Sequence, residues 1–191
     1  VFHKLMSIKI GITGHSGSLG KEIVKSKFGF NYSFFKSDVR SKSKVLKWID
    51  GKKFDAIIHL AAIVPIKIVN NNQKKAYDVN YIGTKNIVDA VKKNKIKWLF
   101  FASTSHVYSS SKKKIHEKSD IKPISYYGKT KLLAENYIIK KLKDSETIYC
   151  IGRIFSTTNK SQKNNYLVPD LKRKIKKTNK KIILYNLDHY R

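Results

Sequence analysis

The stretch that most constrains this chain is residues 8–20, Ile8-Lys9-Ile10-Gly11-Ile12-Thr13-Gly14-His15-Ser16-Gly17-Ser18-Leu19-Gly20. Alternating apolar residues up to Ile12 suit a buried strand, and Leu19, Ile23 and Val24 begin an apolar helical stripe. Between the two, Gly14, Gly17 and Gly20 recur at every third position. A strand, a glycine turn and a helix start is the arrangement that binds a pyrophosphate. The first glycine makes the tight turn, the second lets backbone N–H groups approach the phosphates, and the third lets helix and strand pack closely. The helix N-terminus adds its partial positive charge. Glycines alone also mark ordinary turns; the strand before them and the helix after them give the triplet its meaning.

The rest of the chain continues in the same alternation. A strand is expected over 31–35, helical spacing links Val45, Leu46, Trp48 and Ile49, and 55–62 (DAIIHLAA) is a continuous apolar run of strand length. Such runs suit parallel strands covered on both faces. A helix is expected over 76–91, a strand over 96–102 ending in Ser103-Thr104-Ser105, a helix over 125–143 and a strand over 147–154. The expected fold is therefore α/β, a Rossmann-like doubly wound parallel sheet with helices on both faces, and polar clusters at the carboxyl ends of its strands. Beyond Phe155 the texture turns polar and basic, with a short helix expected over 168–175 and a short strand over 182–185. Residues 7–155 read as a dinucleotide-binding domain, and 156–191 form no compact second unit.

The 191 residues are 41% hydrophobic, enough for a real core. One cysteine, Cys150, excludes a disulfide framework and a cysteine metal cluster, so no metal is expected and a reducing, cytoplasmic setting is. No apolar run approaches the ~18 residues of a membrane span. Met6 is the expected initiator, with 1–5 a remnant. The net charge of +28 suggests an acidic partner, yet only four of the 41 basic residues are arginine. Phosphate-reading surfaces favour arginine for its bidentate fork. Lysines spread along the whole chain read as compositional bias, so nucleic acid is expected to bind only through non-specific, salt-sensitive attraction.

Tyr127 and Lys131 lie four apart at the start of a predicted helix and so face the same side. An ammonium beside a phenol favours the phenolate and lowers the tyrosine pKa from about 10. Such a tyrosine can exchange a proton with a substrate hydroxyl or carbonyl while hydride moves to or from a nicotinamide. In so lysine-rich a chain the pair alone would read as a solvated helix face. It does not stand alone. Thr13-Gly14-x-x-Gly17-x-x-Gly20, His59-Leu60-Ala61-Ala62, Asn80-x-x-Gly83-Thr84, Ser103-Thr104-Ser105-x-Val107-Tyr108, Pro123-x-Ser125-x-Tyr127-Gly128-Lys129-Thr130-Lys131 and Arg153-x-Phe155 occur in that order. This set resembles the extended short-chain dehydrogenase/reductase family, with its sugar-nucleotide epimerases, dehydratases and reductases, over residues 7–191.

The resemblance implies NAD or NADP as cofactor and a nucleotide-linked sugar as substrate, in a protein expected to be a homodimer at full length. It places Gly14, Ser16, Gly17, Ser18, Leu19 and Gly20 around the pyrophosphate, Asp38 and Val39 on the adenine side, and Leu60, Ala61 and Ala62 along the cofactor. It implies that Thr104 hydrogen-bonds the reacting oxygen, Tyr127 is the general acid/base, and Lys131 also holds the nicotinamide ribose. Asn80 is expected to bridge helix and strand, and Ser103 and Ser105 to support the site. Departures from the pattern narrow the reading. Where the family's 4,6-dehydratases carry Asp-Glu after the catalytic Thr, this chain has Ser105-His106, which disfavours dehydration; a histidine lining such a loop more often has no acid/base task. Ser109 and Ser156 replace the usual glycine and asparagine, which points to an altered substrate side. The acidic residue that often ends the second strand is missing, and Lys36 or Arg40 could receive a 2′-phosphate. The chain stops at Arg191, where family members continue, so the resemblance implies that 156–191 are the start of an incomplete C-terminal substrate lobe, and a truncated and thereby inactive protein is one expectation. The alternative to an epimerase or reductase is a non-catalytic family member that binds dinucleotide or RNA.

Overall fold

The computed structural model describes residues 8–26, 28–64, 66–159, 162 and 167–177. Apolar runs too short for helices become five strands: β1 (Lys9–Thr13), β2 (Asn31–Phe35), β3 (Ala56–His59), β4 (Trp98–Thr104) and β5 (Ile148–Ile154). All pair in parallel, in the order β2-β1-β3-β4-β5. The helices are α1 (Ser18–Lys25), α2 (Lys42–Asp50), α3 (Ile66–Asn71), α4 (Gln73–Tyr77), α5 (Gly83–Lys93), α6 (Tyr126–Leu142) and α7 (Leu167–Lys177). The strand order reverses between β1 and β3. Right-handed crossovers then put the β1-to-β2 connection on one face and the later ones on the other. The main core fits this: Val45 and Ile49 of α2, Ile87 and Val91 of α5, and Ile138 and Leu142 of α6 close over Ile57, Leu99 and Phe101 of the sheet. The fold is the Rossmann-like doubly wound sheet expected from the sequence, and its ligand crevice belongs outside the carboxyl ends of β1 and β3, where the order reverses.

Three elements differ from the sequence pattern, each for a local reason. The strand expected over 55–62 stops at His59, because the Ala61 N–H leaves the ladder and donates to the Thr13 hydroxyl at 3.2 Å. The strand expected over 96–102 continues to Thr104, since Ser103 and Thr104 still pair with Arg153 and Ile154. The single helix expected over 76–91 is α4, a π-helical turn (Asp78–Ile82) and α5. Periodicity alone does not show such a turn, which inserts a residue without breaking the helical pattern. Here it carries Asn80 inward and brings Gly83 to Val39, whose Cγ2 would lie 2.5 Å from any added Cβ. The strand expected over 182–185 lies outside the described residues.

Candidate active site

The glycine loop follows β1. Gly14 has φ +73°, and a Cβ there would lie 2.6 Å from the Ala61 amide nitrogen. A Cβ on Gly20 would lie 2.5 Å from the Gly14 carbonyl oxygen and from the His15 Cα. Both positions therefore require glycine, one for its dihedral and one for its close backbone approach. Gly17 heads α1 without a side-chain cap, and the first turn carries no acidic residue. A helix N-terminus left in that state keeps its dipole and N–H groups for an anion. Ser16 is exposed beside it, Ser18 and Leu19 half-buried. His15 packs its ring 5.0 Å from that of Phe34, and its Nδ1 is buried with no hydrogen-bond partner. The Asn159 amide, beyond β5, donates to the Ser18 hydroxyl at 2.8 Å and ties the following segment to the loop.

Leu60, Ala61 and Ala62 run half-buried past Gly14 from the end of β3. They are held from behind by a chain of hydrogen bonds. The Thr84 hydroxyl donates to the Asn80 carbonyl at 2.7 Å, which leaves it to accept from His59 Nε2 at 3.0 Å. That sets the tautomer, so His59 Nδ1 accepts from the Thr13 hydroxyl at 2.6 Å, and Thr13 in turn accepts from Ala61. Burial pushes His59 down to about 3, with the Lys131 charge adding to the effect, so the imidazole is neutral. The Asn80 side chain clamps both main-chain groups of Ile63, at 2.8 and 3.1 Å, and reaches Thr130 at 3.2 Å. It joins the π-helical turn and α6 to the loop after β3, where the sequence suggested a bridge from helix to strand.

Past β2, Asp38 and Arg40 form a closed pair. Arg40 donates from Nε at 3.0 and 2.9 Å and from Nη2 at 2.6 Å, and holds the Asp38 carboxyl below the usual carboxylate range. Val39 is buried, its carbonyl fixed by the Asn86 amide at 3.0 Å. Asp38, Arg40, Ser41, Asp78 and Ile82 line a cavity of about 450 Å³. Of the two cations the sequence offered for a 2′-phosphate, Arg40 is thus already engaged, while Lys36 is exposed directly after β2.

Thr104 ends β4, and its hydroxyl accepts the N–H of His106 at 3.2 Å, opening a 3₁₀ turn (Ser105–Val107). The first turns of α6 pack on that turn. Ser125 caps the helix by accepting the Gly128 N–H at 3.0 Å, and a Cβ on Gly128 would run into the His106 carbonyl oxygen. The His106 ring meets the Tyr127 ring edge-on, centroids 5.8 Å apart. Tyr127 is buried against Val69 and Ala76 of α3 and α4. One turn on, Lys131 is only 1% exposed, with Nζ 4.0 Å from the centre of the Phe101 ring. Burial pulls its ammonium down to about 7, opposed by the Glu135 charge. Thr104 thus ends β4, the first turn of α6 with Tyr127 packs on the turn that follows it, and Lys131 lies on Phe101 of the same strand. Glu135, buried one turn beyond Lys131, was not singled out from sequence. The available signal was a lone acid four residues after a lysine on an otherwise inward-facing helical stripe.

Residues 12–191 match the family model described as GDP-mannose 4,6 dehydratase. The chain belongs to the extended short-chain dehydrogenase/reductase family. Within it, the chain is 31% identical over 195 residues to GDP-6-deoxy-D-talose 4-dehydrogenase of Aggregatibacter actinomycetemcomitans, spanning 96% of this chain and 65% of that enzyme. It is 31% identical over 116 residues to a bifunctional UDP-glucose 4-epimerase and UDP-xylose 4-epimerase of Pisum sativum, spanning 60% of this chain and 33% of the relative. Among solved structures, dTDP-4-dehydrorhamnose reductase of Bacillus anthracis in complex with NADP superposes with a TM-score of 0.71 at 26% identity. That match spans 78% of this chain and 54% of the reductase. This family member thus spans from a third to two thirds of these relatives' lengths. No described helix is long and apolar enough to cross a membrane.

Proposed function

We propose that this chain forms the dinucleotide-binding part of an enzyme that moves hydride between NAD or NADP and a nucleotide-linked sugar, as an epimerase or a ketoreductase. The observation that carries the reading is the burial of Tyr127 and Lys131 one turn apart at the sheet end that also holds Thr104 and the glycine loop. The loop fits the cofactor. Gly14 and Gly20 let the loop's own backbone close up where a Cβ would clash, α1 begins without a side-chain cap, and His15 Nδ1 lacks a partner. Gly14, Ser16, Gly17, Ser18, Leu19 and Gly20 would hold the pyrophosphate, Asp38 and Val39 the adenine side, and Leu60, Ala61 and Ala62 the flank. When bound, the nicotinamide supplies the site that accepts or returns hydride. Tyr127 carries the proton at its phenol oxygen and exchanges it with the sugar oxygen, which the Thr104 hydroxyl orients. Lys131, as ammonium, would favour the phenolate and hold the nicotinamide ribose.

The NADP-bound reductase and the epimerase and dehydrogenase relatives support this reading. Dehydration is disfavoured although the family model takes its description from a dehydratase, because Ser105-His106 stands where the family's dehydratases carry Asp-Glu. Lys36 is the cation left for a 2′-phosphate now that Arg40 is held by Asp38. The domain division at residue 155 and a homodimer built on the helices after Asn70 and Ser125 belong to the same proposal. A panel of UDP-, GDP- and dTDP-linked hexoses, followed by nicotinamide absorbance with NAD and NADP, tests it. The reading expects Tyr127→Phe to lower turnover by about 10²-fold or more. A Tyr127→Phe protein with unchanged turnover would overturn it.

A further inference from the structure

Every residue expected around the cofactor lies at or before Lys131, yet the segment after β5 reaches the glycine loop as well. The Asn159 side-chain amide donates to the Ser18 hydroxyl at 2.8 Å, and that hydroxyl lies 3.2 Å from Asn159 Oδ1. Asn159 is the fifth residue past the end of β5, and β5 is separated from β1 in the sheet by β4 and β3. Three strand spacings amount to roughly 14 Å, and five residues reach at most about 17 Å. Residues 155–159 form no helix, strand or turn. They therefore cross the carboxyl ends of β4 and β3 in a nearly extended run and end on α1.

Asn159 is also held from its own segment. The Gln162 N–H donates to the Asn159 carbonyl at 3.2 Å, and the Gln162 side-chain amide donates to the Thr157 carbonyl at 3.1 Å. Ser18 is the first residue of α1, behind a cap position, Gly17, that offers no side chain. A serine hydroxyl has one proton to donate and two lone pairs that accept. The shorter contact, from the Asn159 amide, occupies a lone pair and leaves the proton for another acceptor. Here that acceptor is Asn159 Oδ1, at the longer distance. An anion at the N-terminus of α1 competes for the same proton, and a charge-assisted hydrogen bond is stronger than a neutral one. The proton can pass to the anion while the amide goes on donating.

We propose that Asn159 is a positioning residue for the dinucleotide, its amide holding the Ser18 hydroxyl so that the proton is directed at the pyrophosphate. This rests on the reading of the glycine loop as a pyrophosphate site and adds to it a residue from beyond β5. Asn159 acts through Ser18, and it acts by donating. Asn159→Asp keeps the shape but can only accept, so it turns the Ser18 proton away and puts a negative charge beside the phosphates.

The test is titration of NADH at physiological salt into the parent, Asn159→Ala, Ser18→Ala, the double variant and Asn159→Asp. Adenosine, measured by competition against NADH, is the phosphate-free probe. Asn159→Ala is expected to weaken NADH binding about fivefold, the worth of one hydrogen bond. In the Ser18→Ala background the same change is expected to cost nothing further. Asn159→Asp is expected to weaken NADH about tenfold or more, although an acid near the N-terminus of α1 favours the helix itself. Adenosine affinity is expected to stay at the parent value throughout. A loosened loop would weaken adenosine as much as NADH, and that result overturns the proposal. So does an Asn159→Ala protein that binds NADH like the parent, or a double variant in which the two losses add. Should Asn159→Ala fail to fold, an Asn159→Asp protein with the parent's NADH affinity overturns it instead. A parent chain without saturable NADH binding overturns the glycine-loop reading itself, a result distinct from unmoved variants.

Discussion

His59 and Lys131 both border the ring of Phe101, one with its imidazole stacked at 5.7 Å, the other with its ammonium at 4.0 Å, and the protein treats them oppositely. His59 has a hydroxyl on each ring nitrogen and rests neutral. Lys131 is equally buried, yet its charge is offset mainly by an aromatic face and a carboxylate that another cation already holds. A buried polar group with every bond made rigidifies its surroundings. A buried charge incompletely offset is costly to keep and titrates near the working pH, which is where acid/base chemistry wants it. The His59 side of Phe101 is thus scaffold for the glycine-loop flank, and the Lys131 side is where the proposed chemistry lies.

Three changes sharpen or break this contrast. The largest effect belongs to His59→Ala, which empties a filled space and strips partners from Thr13 and Thr84; urea unfolding should show a loss of about 3–5 kcal/mol. A loss below about 1 kcal/mol would mean that the hydroxyl chain does not hold the loop. Next comes the pH dependence. His59 falls from 6.5 to about 3 on folding, so between those values the unfolded chain binds a proton that the folded one does not. Its contribution is full above 6.5 and is lost on acidification, at up to about 1.4 kcal/mol per pH unit. His59→Asn should remove that slope relative to the parent. Lys131→Met should have the smallest effect and the opposite sign. The folded lysine gives up its proton near 7 against 10.5 unfolded, so below that window its burial costs stability, and the parent should gain stability as pH rises through it. The variant should be more stable by about 1–2 kcal/mol at neutral pH while losing turnover, and nearly flat across the window. A destabilised Lys131→Met would show that the ammonium is a structural member like His59.

Most of the fold was legible because its signals are local. Strand-length apolar runs, the glycine triplet and the helical stripe around Tyr127 and Lys131 each carry their own period, and the doubly wound order follows from their alternation. Thr104, Tyr127 and Lys131 come from the family resemblance that the ordered motifs carry, since Tyr-x-x-x-Lys spacing alone reads as a solvated helix face; the structure puts both helix residues in the interior. What escaped was decided between elements. Nothing near Asp38 indicates that Arg40 folds back on it, although an Asp-x-Arg step permits it. The π-helical turn keeps helical dihedrals and hides within a continuous pattern. Glu135 reads as an ordinary helix residue until β5 brings Arg153 against it from eighteen positions away.

The claim beneath all of this is that the glycine loop and the Lys131 side form one working dinucleotide site. Calorimetric titration of NADH and NADPH at physiological and raised salt, with the parent chain and with Gly20→Ala, tests it most directly. The account predicts saturable one-to-one binding that survives added salt in the parent and is lost in Gly20→Ala, where a Cβ would meet the Gly14 carbonyl. Binding that fades with salt alike in both proteins would contradict it, because lysine charge alone would then be attracting the phosphates.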